Sequence, residues 1–219
     1  MPAFHASTSL RISEIFYSLQ GESTRVGLPT VFIRLTGCPL RCTYCDTTYA
    51  FTGGRTQTLH EIMQEVASYG AHYICVTGGE PLAQKGCLAL LQALCDAGYS
   101  VSLETSGALD VSAVDVRVSK VLDIKTPASG EVEKNLWGNL LHLTAQDEIK
   151  LVLCDETDYV WAKQILQDHH LPEKCTVLLS PAQGQLAASD LAEWILRDKL
   201  HVRLQVQLHK LLWGNQQGK

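Results

Sequence analysis

The chain has 219 residues, of which 46% are hydrophobic, and it is long enough to bury a sizeable core without disulfides. Its net charge of −5 and its scattered basic residues exclude an extended basic surface for nucleic acid. No apolar run approaches the ~18 residues that a membrane span needs. Eight cysteines without a signal-peptide pattern predict a cytoplasmic protein in a reducing compartment. We expect one domain over residues 1–219, with residues 1–10 as a loose tail.

Strand-like and helix-like hydrophobic patterns alternate along the chain. The first helix is the best defined, because Thr58 and Glu61 form the sequence signature of a capping box. Asp155 and Asp190 predict the starts of two later helices, and residues 48–57 are predicted to be a loop. The predicted strands are residues 11–17, 30–36, 73–77, 99–103, 118–124, 148–153, 176–179 and 202–207, and the predicted helices are 58–66, 87–98, 155–169 and 190–198.

Strands that alternate with helices are typical of parallel, right-handed βαβ units. Six such strands, from residues 30–36 to residues 176–179, are too few for an eight-stranded barrel. Residues 107–118 and 128–146 are too irregular for full helices. The sequence therefore predicts an α/β fold, an incomplete (β/α)6-type barrel with an extra N-terminal strand.

Three cysteines, Cys38, Cys42 and Cys45, follow the second predicted strand at the spacing C-x3-C-x2-C. Thiolates bind zinc, copper(I) and iron–sulfur clusters, but structural zinc takes four ligands and this loop supplies three. An iron–sulfur cubane bound by three thiolates keeps one iron open to a small molecule. The alternatives are buried cysteines, a disulfide, or a redox pair formed by Cys42 and Cys45. A redox pair would not require Cys38.

The cysteine loop and the segment Thr77-Gly78-Gly79-Glu80-Pro81 resemble the two motifs of the radical S-adenosylmethionine (radical SAM) family, with Tyr44 at the aromatic position of the first motif. From about Ile12 to about His209 the chain is also similar to a narrower family, the 7-carboxy-7-deazaguanine synthases of queuosine biosynthesis. The residues that carry this second resemblance are Ser18 to Glu22, Phe32 to Leu35, Gly37 to Pro39, Cys45 to Thr47, Glu104 to Gly107 and Gln207 to His209.

The resemblance implies a 4Fe–4S cluster on Cys38, Cys42 and Cys45, S-adenosylmethionine on its open iron, and Mg²⁺ near Thr47. The chain has Asp123-Ile124-Lys125 where the family more commonly has Ser-Pro-Lys, so the contact made by position 123 is open. The cofactor-binding residues that the resemblance implies are Tyr44, Asp46, Gly78, Gly79, Glu80, Ser106, Asp123, Lys125, Ser180 and Gln183.

The reaction implied by the resemblance is the ring contraction of 6-carboxy-5,6,7,8-tetrahydropterin to 7-carboxy-7-deazaguanine with loss of ammonia, catalysed by a carbon–nitrogen lyase. The radical arises on the cofactor, so no side chain is assigned as catalytic. The resemblance also implies a homodimer and a flavodoxin- or ferredoxin-type electron donor, without nucleic acid or membrane. The implied substrate-binding residues are Leu19, Gln20, Gly21, Glu22, Arg34, Thr77, Gln207 and His209.

Other interpretations remain open at this point. The chain is also compatible with another small radical SAM enzyme, such as an activase of a glycyl-radical enzyme, or with a zinc-binding interaction module. Gln20 and Glu22 alone would suit a solvated turn. Arg34 lies in an apolar strand and needs an anionic partner, which is either a substrate carboxylate or an internal acidic side chain.

Overall fold

A computed structural model describes residues 8–219 of the chain. Residues 1–7 of the predicted tail lie outside the described residues, and the prediction is wrong for Ser9 and Leu10, which begin the first strand. The strands are β1 (Ser9–Leu19), β2 (Pro29–Leu35), β3 (Arg55–Thr58), β4 (Tyr73–Gly78), β5 (Ser100–Thr105), β6 (Ser119–Asp123), β7 (Glu148–Leu153), β8 (Thr176–Pro181) and β9 (Arg203–Leu204). The helices are α1 (Leu59–Ser68), α2 (Cys87–Asp96), α3 (Glu156–Asp168), α4 (Leu171–Lys174), α5 (Ala188–Asp198) and α6 (Leu208–Trp213).

The strands between residues 8 and 219 form a single sheet in the order β3-β1-β2-β4-β5-β6-β7-β8-β9. Neighbours from β2 to β9 run parallel, whereas β1 pairs antiparallel with both β2 and β3. The two edge strands of the sheet, β3 and β9, do not pair with each other. The predicted incomplete barrel with an added N-terminal strand is therefore confirmed.

The two faces of the sheet differ in character because successive side chains of a strand point to opposite sides. Ile33, Leu122 and Ile149 belong to the hydrophobic core under the helices. Their neighbours in sequence, Arg34 and Lys150, line a cavity on the opposite face. α1 packs on β1 and β3, α2 on β5, α3 on β7, and α5 on β8 and β9. The helices thus cover one face of the sheet and leave the other to form the cavity.

Three predicted elements need correction. The residue range 48–57 is not a plain loop, because a 3-10 turn occupies Thr48–Phe51 and β3 begins at Arg55. The last predicted strand, 202–207, is reduced to the two residues of β9, and Gln207 precedes a helix that the sequence did not predict. α5 begins at Ala188, two residues before the predicted start. The other boundaries shift by a few residues, and the capping box of Thr58 and Glu61 is present.

Each short turn of the irregular crossovers is 3-10 rather than α-helical. Residues 128–146 contain turns within Val132–Lys134 and Trp137–His142, and residues 107–118 contain no helix. No helix among residues 8–219 is both long enough and apolar enough to cross a lipid bilayer.

Candidate active site

A cavity of about 870 Å³ lies at the carboxyl ends of the parallel strands, where α/β barrels carry their functional groups. Four parts of the chain enclose it: the cysteine loop, the strand ends, the turn after β1 and the segment after β9. Most residues singled out in the sequence meet here. They are Leu19, Gln20, Gly21, Glu22, Arg34, Cys38, Cys42, Tyr44, Cys45, Asp46, Thr47, Thr77, Gly78, Gly79, Ser106, Asp123, Lys125, Ser180, Gln183, Gln207 and His209.

The three cysteines of the loop are free thiols, each half-buried in the cavity wall. Gly37 starts the loop with a positive φ of 99°, a conformation that glycine adopts at little cost. Its N–H donates to the carbonyl of Ala50 at 2.8 Å. Burial raises the pKa of the Cys38 and Cys42 thiols, so a cation is needed nearby to favour their thiolate forms.

Gly79 packs against the cysteine loop so closely that a side chain has no room. A Cβ at this position would lie 2.2 Å from the carbonyl oxygen of Gly37 and 2.9 Å from Cβ of Cys38. The next residue, Glu80, donates its N–H to the same Gly37 carbonyl at 2.7 Å. The second sequence motif therefore holds the first one in place through backbone contacts.

Glu80 lies behind the cavity wall and is fully buried. Its carboxylate accepts hydrogen bonds from the hydroxyl of Thr105 at 3.0 Å and from the N–H of Ser106 at 2.6 Å. It also accepts one from the N–H of Leu82 at 2.9 Å. Because protein donors surround this carboxylate, Glu80 orders the end of β5 and is not brought to the cavity with the other predicted cofactor-binding residues.

A chain of alternating charges crosses the floor of the cavity. Lys125 pairs with Asp123 at 2.8 Å, and Lys150 lies 3.8 Å from Asp123 and 2.9 Å from Glu22. Burial opposes the charge on Lys150, yet Glu22 and Asp123 outweigh it and raise the pKa of Lys150 well above its ordinary value. The network joins the turn after β1 to the end of β6, so the two ends of the cavity share one set of ion pairs.

Lys150 and Glu104 both line the cavity, although neither was assigned to the site from the sequence, where Glu104 was noted only as part of the family resemblance. The Glu104 carboxylate accepts hydrogen bonds from Thr77 at 2.9 Å and, more weakly, from Gln20 at 3.5 Å. The available signal was a charged residue within an otherwise apolar strand, which is the criterion that singled out Arg34.

The turn after β1 is bound to the segment after β9. Glu22 accepts hydrogen bonds from Gln207 at 2.8 Å and from Gln205 at 3.1 Å. Burial raises the pKa of Glu22, but Lys150 and the hydrogen bond from Gln207 more than offset it, so that the net shift is downward. Glu22 is thus held as a carboxylate inside the cavity wall, and it is not part of a solvated turn.

His209 covers Gly21 on the other side of the same turn. A Cβ on Gly21 would lie 2.0 Å from Nδ1 of His209, and the Leu208 N–H donates to the Gly21 carbonyl at 3.0 Å. Burial lowers the pKa of His209 despite nearby Glu22 and Asp46. The imidazole is therefore neutral near pH 7, with a donor and an acceptor nitrogen.

Asp46 and Thr47 follow the last cysteine and stand beside the C-terminal helix. The Thr47 hydroxyl donates to Asp46 at 2.9 Å, and the Lys210 ammonium lies 2.5 Å from the other Asp46 oxygen. Burial raises the pKa of Asp46, but the hydrogen bond and the charge of Lys210 outweigh it and lower the pKa well below its ordinary value. Asp46 therefore already has a cationic partner.

The donor set and the polar lining fit a bound cluster and a polar cofactor. Among residues 8–219, no three His, Cys or acidic side chains are close enough to hold one metal ion, but a cubane does not need such convergence because each thiolate binds a different iron. Within the same residues, the Tyr44 hydroxyl and one Asp123 carboxylate oxygen are buried without a hydrogen-bond partner. Such atoms require a partner, and a polar ligand in the cavity would supply one.

Comparison with known proteins agrees with this geometry. Residues 32–121 match the Radical SAM superfamily, and the incomplete barrel with its three-cysteine loop defines a radical SAM enzyme. The chain is 49% identical over 208 residues to the 7-carboxy-7-deazaguanine synthase of Chlorobaculum tepidum, covering 94% of each chain. It is 42% identical to the synthase of Koribacter versatilis, covering 93% of this chain and 97% of that one. The chain belongs to the 7-carboxy-7-deazaguanine synthase family.

Two solved structures share the fold. QueE from Escherichia coli superposes with a TM-score of 0.78 at 23% identity and covers 94% of this chain and 97% of its own. SuiB from Streptococcus suis, solved with S-adenosylmethionine, has a TM-score of 0.54 at 12% identity, over 78% of this chain and 44% of its own. Membership of the radical SAM superfamily implies a 4Fe–4S cluster and S-adenosylmethionine, and the zinc-binding interaction module is excluded.

Proposed function

We propose that this protein is a 7-carboxy-7-deazaguanine synthase that contracts 6-carboxy-5,6,7,8-tetrahydropterin with loss of ammonia, in the pathway to queuosine. The observation that carries the proposal is that one cavity brings together two residue sets. The three free thiols and the Gly78–Gly79 turn form one side, and Gln20, Glu22, Arg34 and His209 form another. The family match over 94% of the chain supports this choice among radical SAM reactions.

Cys38, Cys42 and Cys45 would hold the 4Fe–4S cluster, and together with S-adenosylmethionine the cluster supplies the chemistry of hydrogen-atom abstraction when bound. Gly78 and Gly79 would let the methionine end approach the backbone, since neither has a Cβ. The remaining cofactor contacts are proposed for Tyr44, Asp46, Ser106, Asp123, Lys125, Ser180 and Gln183, with Glu80 acting from behind by ordering Ser106.

The substrate would occupy the side of the cavity formed by the turn after β1. Glu22 is a partly buried carboxylate that can accept hydrogen bonds from ring N–H groups, and the neutral imidazole of His209 can donate or accept one. Arg34 can bind the substrate carboxylate through its terminal nitrogens. Leu19, Gln20, Gly21, Thr77 and Gln207 complete the proposed substrate contacts.

Three further elements of the proposal concern partners. Mg²⁺ would bind near the substrate carboxylate with Thr47 as a protein ligand, because Mg²⁺ keeps waters and substrate oxygens and needs few protein groups. An electron donor of the flavodoxin or ferredoxin type would reduce the cluster. We also propose that the enzyme is a single-domain, cytoplasmic homodimer.

The test is an anaerobic assay of the reconstituted protein with 6-carboxytetrahydropterin, S-adenosylmethionine and a chemical reductant, with the product identified by mass spectrometry. The expected product is 7-carboxy-7-deazaguanine, formed only when all components are present. Reductive cleavage of S-adenosylmethionine without any conversion of the pterin would contradict the proposed substrate and favour another radical SAM reaction, such as activation of a glycyl-radical enzyme.

A further inference from the structure

The crossover after β6 turns back beneath the cysteine loop. We propose that its residues 126–131, the platform segment, position the loop for cluster binding, with Thr43 as the contact residue and Asp158 as the buried anchor. The inference rests on the proposed role of Cys38, Cys42 and Cys45 as cluster ligands. Thr43 and Asp158 act on the cluster only through the loop and are positioning residues.

The platform segment binds the loop between its cysteines. The N–H of Thr43 donates to the carbonyl of Ser129 at 3.0 Å, and its hydroxyl donates to the carbonyl of Ala128 at 2.7 Å. On the other side of Cys42, the N–H of Arg41 donates to the Glu131 carboxylate at 2.5 Å. Both neighbours of the middle cysteine are therefore bound to one short segment of the next crossover.

The platform segment is itself rigidly held. Ser129 is fully buried, its hydroxyl donates to the Thr126 carbonyl at 2.6 Å, and it accepts the N–H of Glu131 at 3.0 Å. Gly130 turns the backbone with a φ of 75° and approaches the methyl group of Thr43, since a Cβ on this glycine would lie 3.6 Å from it. The carbonyls that face Thr43 are thus fixed in direction before a cofactor binds.

Asp158 fastens the platform segment to the scaffold. It lies on α3 with no exposed surface, and one carboxylate oxygen accepts the Thr126 hydroxyl at 2.9 Å and the Cys154 N–H at 3.0 Å. The other oxygen accepts the Ala128 N–H at 3.0 Å. A single buried carboxylate therefore joins the segments that follow β6 and β7 and fixes the position of the platform segment.

This arrangement has a consequence for both cofactors. Lys125, a proposed S-adenosylmethionine contact, directly precedes the platform segment, and its N–H donates to the Asn135 side chain at 2.8 Å. A shift of residues 126–131 would displace Lys125 and the cysteine loop together. Pre-ordered ligands lose less conformational freedom on binding, so the loop should release its cluster faster when the platform contact is removed.

Thr43 allows a clean test because its side chain is solvent-exposed and it is not a proposed ligand. Thr43→Val removes the hydroxyl at constant shape, Thr43→Ser restores it, and Thr52→Val makes the same change at an exposed threonine just past the loop. The readout is the anaerobic rate of iron release from the reconstituted protein to a chelator. We expect roughly fivefold faster release in Thr43→Val, the effect of losing one hydrogen bond, and near wild-type release in the other two variants.

Thermal unfolding of the cluster-free proteins separates positioning from folding. Thr43→Val should unfold within about 4 °C of the wild-type temperature, the shift that loss of one hydrogen bond gives in a chain of this size. Asp158→Asn should also release iron faster, because an amide cannot accept from all three donors. Iron release from Thr43→Val at the wild-type rate would overturn the inference. Iron release needs no pterin, so a failure of the proposed substrate would appear only in the product assay.

Discussion

Arg34 and Glu14 form an ion pair across the β1–β2 strand pair, with 2.7 Å between Nε of the guanidinium and the carboxylate oxygen. The Tyr49 hydroxyl donates to the same oxygen at 2.8 Å. The internal acidic partner that the sequence left open is thus present. Within residues 8–219 the terminal nitrogens of Arg34 make no hydrogen bond to the protein, and the guanidinium lines the cavity. Glu14 therefore binds the Nε edge of the Arg34 guanidinium and leaves its terminal nitrogens free to bind an anion.

Replacing Arg34 should therefore impair pterin turnover more than cofactor binding. Loss of a charge-assisted contact of about 2–3 kcal/mol corresponds to a roughly 30- to 150-fold lower kcat/KM for Arg34→Ala. Arg34→Lys should not restore it, because an ammonium cannot make the bidentate contact. The measurements are steady-state kinetics, cluster content and S-adenosylmethionine binding. Global unfolding of Arg34→Ala would mark Arg34 as a purely structural partner of Glu14, and unchanged kinetics would mean that the substrate carboxylate binds elsewhere.

Cys42→Ala should lose the cluster and with it the reductive cleavage of S-adenosylmethionine. The matched control is Cys95→Ala, a half-buried thiol on α2 that lies outside the cavity wall. Iron and sulfide content, together with the formation of 5′-deoxyadenosine, measure the two effects. Normal iron content in Cys42→Ala, or loss of the cluster in Cys95→Ala, would contradict the assignment of the loop.

The strands of the barrel could be predicted from the sequence because their apolar runs are buried on the helix-covered face, as Ile33 and Ile149 are. The structure of the last part of the chain could not be predicted in this way. Residues 202–207 alternate like a strand, but Gln207 instead binds Glu22 at 2.8 Å and precedes α6. A tertiary contact overrides the local pattern there.

At the candidate site, too, local sequence signals could be recognised and long-range contacts could not. Cysteine spacing and glycine pairs are local signals, so the loop at Cys38 and the turn at Gly79 could be read from the sequence. The ion pair of Lys150 could not be predicted, because its partner Glu22 is 128 positions away in the chain. Glu80 was assigned to the cofactor by its motif, yet burial and the Ser106 hydrogen bonds place it behind the wall.

Gly79→Ala should disrupt the cysteine loop, because the new Cβ would lie 2.2 Å from the backbone oxygen of Gly37. The loop must move or the turn must open, so we expect little or no cluster to assemble. Gly138→Ala is the control, since a Cβ there meets no atom within 4 Å. Iron content after reconstitution and the unfolding midpoint of both variants are measured. Full cluster content in Gly79→Ala would show that the loop adapts easily.

His209 should make stability depend on pH. Burial lowers the pKa of His209 below its ordinary value of 6.5, so the unfolded chain binds a proton there before the folded chain does. Stability from this group is therefore complete above about pH 6.5 and decreases as the pH falls through that value. Urea unfolding at pH 7.5 and 5.5 should give a smaller difference for His209→Gln than for the wild type. His142→Gln, at an exposed histidine, should retain the full difference, and equal differences in all three proteins would refute the assignment.

Magnesium should stimulate turnover through Thr47, whose hydroxyl already faces Asp46 at 2.9 Å. Thr47→Val removes this oxygen while leaving the Asp46–Lys210 ion pair, so the magnesium concentration for half-maximal activity should rise several-fold. Turnover is measured after chelation and readdition of Mg²⁺. If exhaustive chelation leaves turnover unchanged, the ion has no place in the mechanism, whereas an unchanged magnesium response in Thr47→Val would exclude only this residue.

The hydrogen bond between Gln207 and Glu22 joins residues 185 positions apart, and this separation affects the order of assembly. Contacts so distant in sequence incur the largest loop-closure entropy and form late in folding. The barrel strands can pair while the turn at Gly21 still lacks its cover from His209. Hydrogen exchange should accordingly find the amide of Leu208, which binds the Gly21 carbonyl, opening more often than the amides of β7, so this part of the cavity wall should be less stable than the barrel strands.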